Sequence, residues 1–176
     1  MSEGGPQGRS YKRIGHDDMR LLAEIATADR EEFFHRFPDW AAQYRGRLIA
    51  TALCQGAALH MVDGTTGVND FDVYSFYARH PDRAWYALRN KTADFGDPRF
   101  GQSADRPHFV GRRVDLMGRS LDVHVDVDPA VAIREWLRAG CLGSSARYLA
   151  KKAVVLLTPE ERMGEVVWPV GTSPGV

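Results

Sequence analysis

Nine residues, Asn69 to Tyr77 (NDFDVYSFY), constrain the fold more than any other stretch of the chain. They are dense in aromatic and β-branched side chains, which marks a strand. Inside that strand sit Asp70 and Asp72. Side chains alternate across a strand, so both carboxylates project from the same face. Two such acids repel each other, and burying them without a partner is costly. Tyr74 and Phe76 follow on that face and argue against full exposure to water. Solvent, arginines or a metal ion must therefore compensate the pair.

The flanking segments supply the helices that such a strand needs. His16-Asp17-Asp18 opens a helical pattern in which Asp17 or Asp18 caps, continued by Leu22, Ile25, Ala26, Phe33 and Phe37 and ended by Pro38. Asp39 is placed to cap a second helix through Trp40, Tyr44 and Leu48. The apolar run Leu48–Cys54 reads either as the end of that helix or as a buried strand. His80-Pro81-Asp82 starts a short helix through Trp85 and Leu88, and 94–108 is a Gly/Pro/Asp-rich loop. A hairpin follows, with strands Phe109–Met117 and Leu121–Val127 about the turn Gly118-Arg119-Ser120. Asp128-Pro129 is a strong helix start, closed by Gly140. Ser144 or Ser145 begins a last helix carrying Leu149, Ala153 and Leu156, and Val166-Val167-Trp168 adds a small strand. The expected class is α+β, a small mixed β-sheet with flanking helices. The expected organisation is a flexible arm at 1–13, a single domain at 14–170 and a flexible tail at 171–176.

Adjacent carboxylates are the hard oxygen ligands that Mg²⁺ takes together with waters and substrate phosphates. Asp115, in Arg112-Arg113-Val114-Asp115-Leu116, faces away from Val114 and Leu116 and is placed to join the pair from a neighbouring strand. Its other reading is a salt bridge to Arg113 or Arg119. Asp122, His124 and Asp126 alternate onto one face of the next strand and offer a rival third acid, or simply a solvated edge. Lys152 borders the apolar stripe of the last helix, where it either snorkels to water or sets a point charge against a phosphate.

Gly56-Ala57, a dozen or so residues, the hydrophobic-flanked Asp70-x-Asp72 and the isolated strand acid Asp115 together resemble the DNA polymerase beta-type nucleotidyltransferase superfamily. The resemblance covers roughly residues 40–125, about half the chain. It implies a nucleotidyltransferase-like sheet and an enzyme that moves a nucleoside monophosphate from an NTP to an acceptor, releasing pyrophosphate. Asp70, Asp72 and Asp115 would be its catalytic metal ligands for Mg²⁺ or Mn²⁺. Gly56 and Ala57 would hold the nucleotide's phosphates through backbone amides, with Lys152 beside them. The family's second motif residue is usually Ser or Gly, and Ala57 removes any hydroxyl contact. That departure favours an alternative, a non-catalytic nucleotide- or protein-binding module such as half of a toxin–antitoxin or defence pair.

Composition excludes several other classes. The 23 Lys+Arg balance 23 Asp+Glu, so nothing draws the chain to long nucleic acid by bulk charge. Of the basic residues, 19 are Arg, the side chain suited to bidentate carboxylate or phosphate contacts. No apolar run is long enough to span a bilayer. Met1 to Arg13 is Gly-rich and basic with no apolar core, so it does not read as a signal peptide. Cys54 and Cys141 lie in apolar segments and read as buried free thiols of a cytoplasmic protein. Asp94-Phe95-Gly96 lacks the other kinase signatures, and neither a P-loop nor a dinucleotide fingerprint is present. The acceptor, the base of the NTP and the oligomeric state are left open.

Overall fold

The chain begins with α1 (His16–Arg36) and α2 (Pro38–Tyr44), then β1 (Leu48–Cys54), α3 (Gln55–Asp63) and β2 (Phe71–Ala78). It continues with β3 (Lys91–Asp94), β4 (Arg113–Leu121), α4 (Pro129–Ala139), α5 (Ser145–Leu149), β5 (Val154–Thr158) and β6 (Val166–Trp168). The computed structural model describes residues 12–85, 91–97, 100, 111–140, 145–169 and 171. The expected arm up to residue 11, the tail beyond Gly171 and Cys141 lie outside the described residues. The class is α+β, as expected, with one six-stranded mixed sheet in the order β3-β4-β2-β1-β5-β6. β2 and β4 run parallel; the other neighbours are antiparallel.

Alternation sorts each strand's side chains between two helical layers. Leu53, Phe71, Val73, Val114, Leu116, Val155 and Leu157 face α1 and α3, where Leu22, Ala26, Ala58 and Met61 complete one core. Ala52, Cys54, Tyr74, Phe76, Leu121, Val154 and Leu156 face α4 and α5, where Ile133, Leu137 and Leu149 complete the other. β1 and β5 are buried on both faces, which is why they read as continuous apolar runs. The Leu48–Cys54 run is thus a central strand.

Several local expectations are corrected. α1 is capped by Gly15, whose amide donates to Asp18 Oδ2 at 2.8 Å. Pro38 is the first residue of α2, so Asp39 lies in the first turn instead of capping it. His80–Trp85 is a turn closed by a bridge between His80 and Arg83, not a helix. Trp85 instead fastens this segment to the sheet: its ring stacks on Tyr77 at 4.6 Å and 9°, and its backbone exchanges hydrogen bonds with Ser120. Residues 86–90 lie outside the described residues.

The expected hairpin is one continuous strand. Gly118-Arg119-Ser120 lies inside β4, in register with Ser75-Phe76-Tyr77 of β2. A Cβ at position 118 would stand 2.4 Å from Trp85 Nε1, so glycine is there for close approach and not for a turn. Residues 122–127 form an irregular connection in which Asp122, His124 and Asp126 are exposed. The expected last helix is α5 alone; Lys152 sits in the turn after it, Ala153 is buried, and Leu156 belongs to β5. The reading of α4 holds in detail: Asp128 accepts a hydrogen bond from the Val131 amide, Pro129 is first, and Gly140 closes with φ 34°. Among the described residues no helix is long and apolar enough to cross a membrane.

At the chain's start, Lys12 and Arg13 are held against α3. The buried ring of His60 lies between the carbonyl oxygens of Thr66 and Lys12, and Arg13 packs on Gly64.

Candidate functional site

β1 ends at Cys54, and the chain turns at once into α3. Gln55, the turning residue, has φ 60°, the left-handed region that side chains avoid. Its amide donates to the Ala153 carbonyl at 3.0 Å, which fixes the turn to the segment entering β5. Gln55 is buried, and its side-chain nitrogen has no hydrogen-bond partner among the described residues. Gly56 and Ala57 form the first turn of α3, where backbone N–H groups lack carbonyl partners within the helix. A Cβ at position 56 would stand 3.8 Å from Lys152 Nζ, so the lysine lies over this helix start. The Ala57 side chain points the other way, into the core beneath α1.

The neighbouring strand brings the acids. Asp72 is register partner of Cys54 on β1 and of Asp115 on β4. All three therefore project from the α4/α5 face of the sheet, side by side across three strands. Asp70 immediately precedes β2, close enough for its charge to act on Asp72. Burial first, then the charges of Asp70 and Asp115, push the Asp72 carboxyl up from 3.8 to about 7; Lys152 and Arg113 oppose this. Burial, seconded by Asp72, also raises the Cys54 thiol well above its ordinary value.

Asp115 is held by its own strand. Arg113 Nε donates to Asp115 Oδ1 at 2.7 Å, with the Arg113 side chain 50% exposed and that of Asp115 13% exposed. This is the salt bridge that the sequence offered as the second reading of Asp115. The bond raises the Arg113 guanidinium's pKa, and the charges of Asp70 and Asp72 add to it. Arg113 is thus a shared counter-ion of the acidic cluster. β4 runs six residues on from Asp115 to Leu121, about 20 Å at strand spacing, and Asp122 follows its end. The rival acid Asp122 therefore lies beyond the far end of the strand, and Asp126 is exposed in the irregular connection after it.

The rim is aromatic and basic. Tyr74, two residues beyond Asp72, is buried beneath it, and burial raises its hydroxyl pKa. Arg119, two residues further along β4's same face than Met117, hydrogen-bonds Ser145 Oγ at the start of α5. Gln55 and Tyr148 of α5 escape notice in the sequence, whereas the pairing of Arg113 with Asp115 is the sequence's second reading. Only the Arg113-x-Asp115 spacing carries a signal, since i and i+2 share a strand face.

The donor chemistry suits a hard divalent cation: Asp72 is a crowded carboxylate whose charged form a cation would favour. The geometry is incomplete, because among the described residues no three His, Cys, Asp or Glu side chains converge as a metal cage. Asp115 is turned to Arg113 instead. Compared with protein-family models, curated proteins and solved structures, the chain matches none.

Proposed function

We propose that the chain binds a nucleoside triphosphate together with Mg²⁺ or Mn²⁺ and transfers its nucleoside monophosphate to an acceptor hydroxyl or amine. What carries this reading is one juxtaposition: Asp72 is level with Asp115 while Lys152 lies over Gly56, at the start of the helix that follows the adjoining strand. Carboxylates for a cation and donors for phosphate are thus neighbours, drawn from four separate parts of the chain. Asp70 and Asp72 would hold the metal, and Asp115 would join them on exchanging its bond to Arg113. A metal held there would neutralise charge on the triphosphate. The first-turn amides of α3 and the Lys152 ammonium would orient the phosphates. The acceptor oxygen or nitrogen would bond to the α-phosphorus as the bond to pyrophosphate breaks, the electron pair leaving with pyrophosphate and the acceptor's proton passing to Asp115. A cytoplasmic setting supplies both nucleotide and metal.

A second reading, a binding module without turnover, draws on two observations: Ala57 offers no hydroxyl, and Asp115 is already paired. The test is thermal unfolding with each NTP, with and without Mg²⁺ or Mn²⁺. A ligand at 100 times its Kd stabilises by about 2.7 kcal/mol. The expected result is a metal-dependent rise with NTP that is absent in Asp72→Asn. Removing a crowded acid also stabilises the free protein, so the ligand-induced shift is compared, not the absolute Tm. A metal-independent rise would favour a nucleotide-binding module, and no rise with any pair would end the transferase reading and leave only a module that binds protein.

A further inference from the structure

We propose that Tyr148 is the platform on which the nucleobase of the bound nucleotide stacks. This inference rests on the nucleotide reading above and adds the part of the ligand that reading leaves unplaced. α5 is short, and its inward residues Ala146 and Leu149 are 1% and 0% exposed, whereas Tyr148 is 59% exposed. The helix is fastened at both ends, by Arg119 to Ser145 Oγ and by Trp168 Nε1 to the Ala150 carbonyl at 2.8 Å. A large aromatic ring is thus displayed on a fixed backbone, at low entropic cost to a ligand that covers it.

Its position matters as much as its exposure. Leu149 packs in the same core as Tyr74 and Cys54, which puts α5 on the face of the sheet that bears Asp72 and Asp115. Tyr148 is in the last turn of α5, and Lys152 follows four residues on, in the turn after that helix. Lys152 lies over Gly56, where the phosphates would bind. One continuous segment therefore offers an aromatic face at one end and a phosphate-directed ammonium at the other. Lys151 Nζ, 5.9 Å from the Tyr148 ring centroid, lies over the ring and supplies a second cation beside it. Every base has a π-face, so a stacking platform discriminates weakly among bases. The four NTPs are expected to bind within a few-fold of one another.

Calorimetric titration of the full chain at saturating Mn²⁺, with ATP and with inorganic tripolyphosphate, tests this. Tyr148→Ala is expected to weaken ATP about tenfold, the scale of one base–aromatic stack, and to leave tripolyphosphate within twofold. Tyr148→Phe and Tyr148→Trp are expected to keep ATP affinity. An equal loss for both ligands, or no loss for ATP, overturns the platform while leaving the nucleotide reading standing. If the wild type binds neither ligand, that reading falls and the platform falls with it. The ring is largely in water, so all three variants are expected to unfold within a degree or two of the wild type.

Discussion

Asp72 and Asp115 are register partners on parallel β2 and β4, facing the same side of the sheet one strand spacing apart. Their closeness, with Asp70 beside them, makes the free protein pH-sensitive. The Asp72 carboxyl titrates at about 7 in the fold and near 3.8 in the unfolded chain. Between those values the native state holds a proton that the unfolded state does not. Stability from this group is fully present below about pH 4 and is lost as the pH rises through about 7. For a half-buried group the loss is about 2 to 4 kcal/mol. Urea unfolding in chelator from pH 4 to 8 is expected to show it as the difference between the wild type and Asp72→Asn. Parallel profiles for the two proteins would mean that Asp72 is not crowded.

A metal ion at Asp115 would have to compete with Arg113 for the same carboxylate. Arg113 Nε already donates to Asp115 Oδ1, and half of the arginine side chain is in water, free to move. An exposed ion pair is worth about 0.2 to 1 kcal/mol. Arg113→Gln is therefore expected to tighten Mn²⁺ binding by about two- to fivefold, as read by titration followed by electron paramagnetic resonance. Weaker binding would show that the guanidinium assists the ligand rather than opposing it.

Gln55 reverses the usual order of Ala and Gly in a helix. Elsewhere Ala is the more stable by about 1 kcal/mol. At φ 60° a Cβ is strained and glycine is not. Gln55→Gly is expected to unfold at higher denaturant than Gln55→Ala, by about 1 kcal/mol. Both remove the buried amide nitrogen equally, so the difference isolates the backbone. Ala at or above Gly would mean that this turn relaxes away from the left-handed region.

How much of this was legible in the sequence depended on whether the signal was local. Asp128, Pro129 and Gly140 bound α4 through caps that act within one turn, and they are where the sequence places them. The alternation around Asp72 and Asp115 is likewise local, and it predicts which face each acid takes. β5 reads as helix in the sequence because residues 154–157 are all buried and so carry no strand period, while Leu149, Ala153 and Leu156 mimic helical spacing. The Gly118-Arg119-Ser120 turn failed because a glycine demanded by a distant tryptophan looks, in sequence, like a glycine demanded by a turn. Gln55 and Tyr148 carry no pattern at all: one is defined by a dihedral angle, the other by what its helix buries.

Gly118 offers the sharpest separation of fold from site. A Cβ there would stand 2.4 Å from Trp85 Nε1 and 2.8 Å from Cε2, and that ring is pinned by its stack on Tyr77. The indole has no flexible end to give way. Gly118→Ala must displace either Trp85 or β4, a cost of about 1 to 3 kcal/mol for overpacking. The clash is on the α1 face, whereas Asp115, three residues back on the same strand, faces the other way. The expected outcome is a lower urea midpoint and a changed near-ultraviolet circular dichroism spectrum from the aromatic cluster. Mn²⁺ affinity, measured well below the transition, is expected to stay within twofold of wild type. If metal affinity falls as far as stability does, the two faces of β4 move together, and the acidic cluster depends on the packing beneath it as much as on its own strand register.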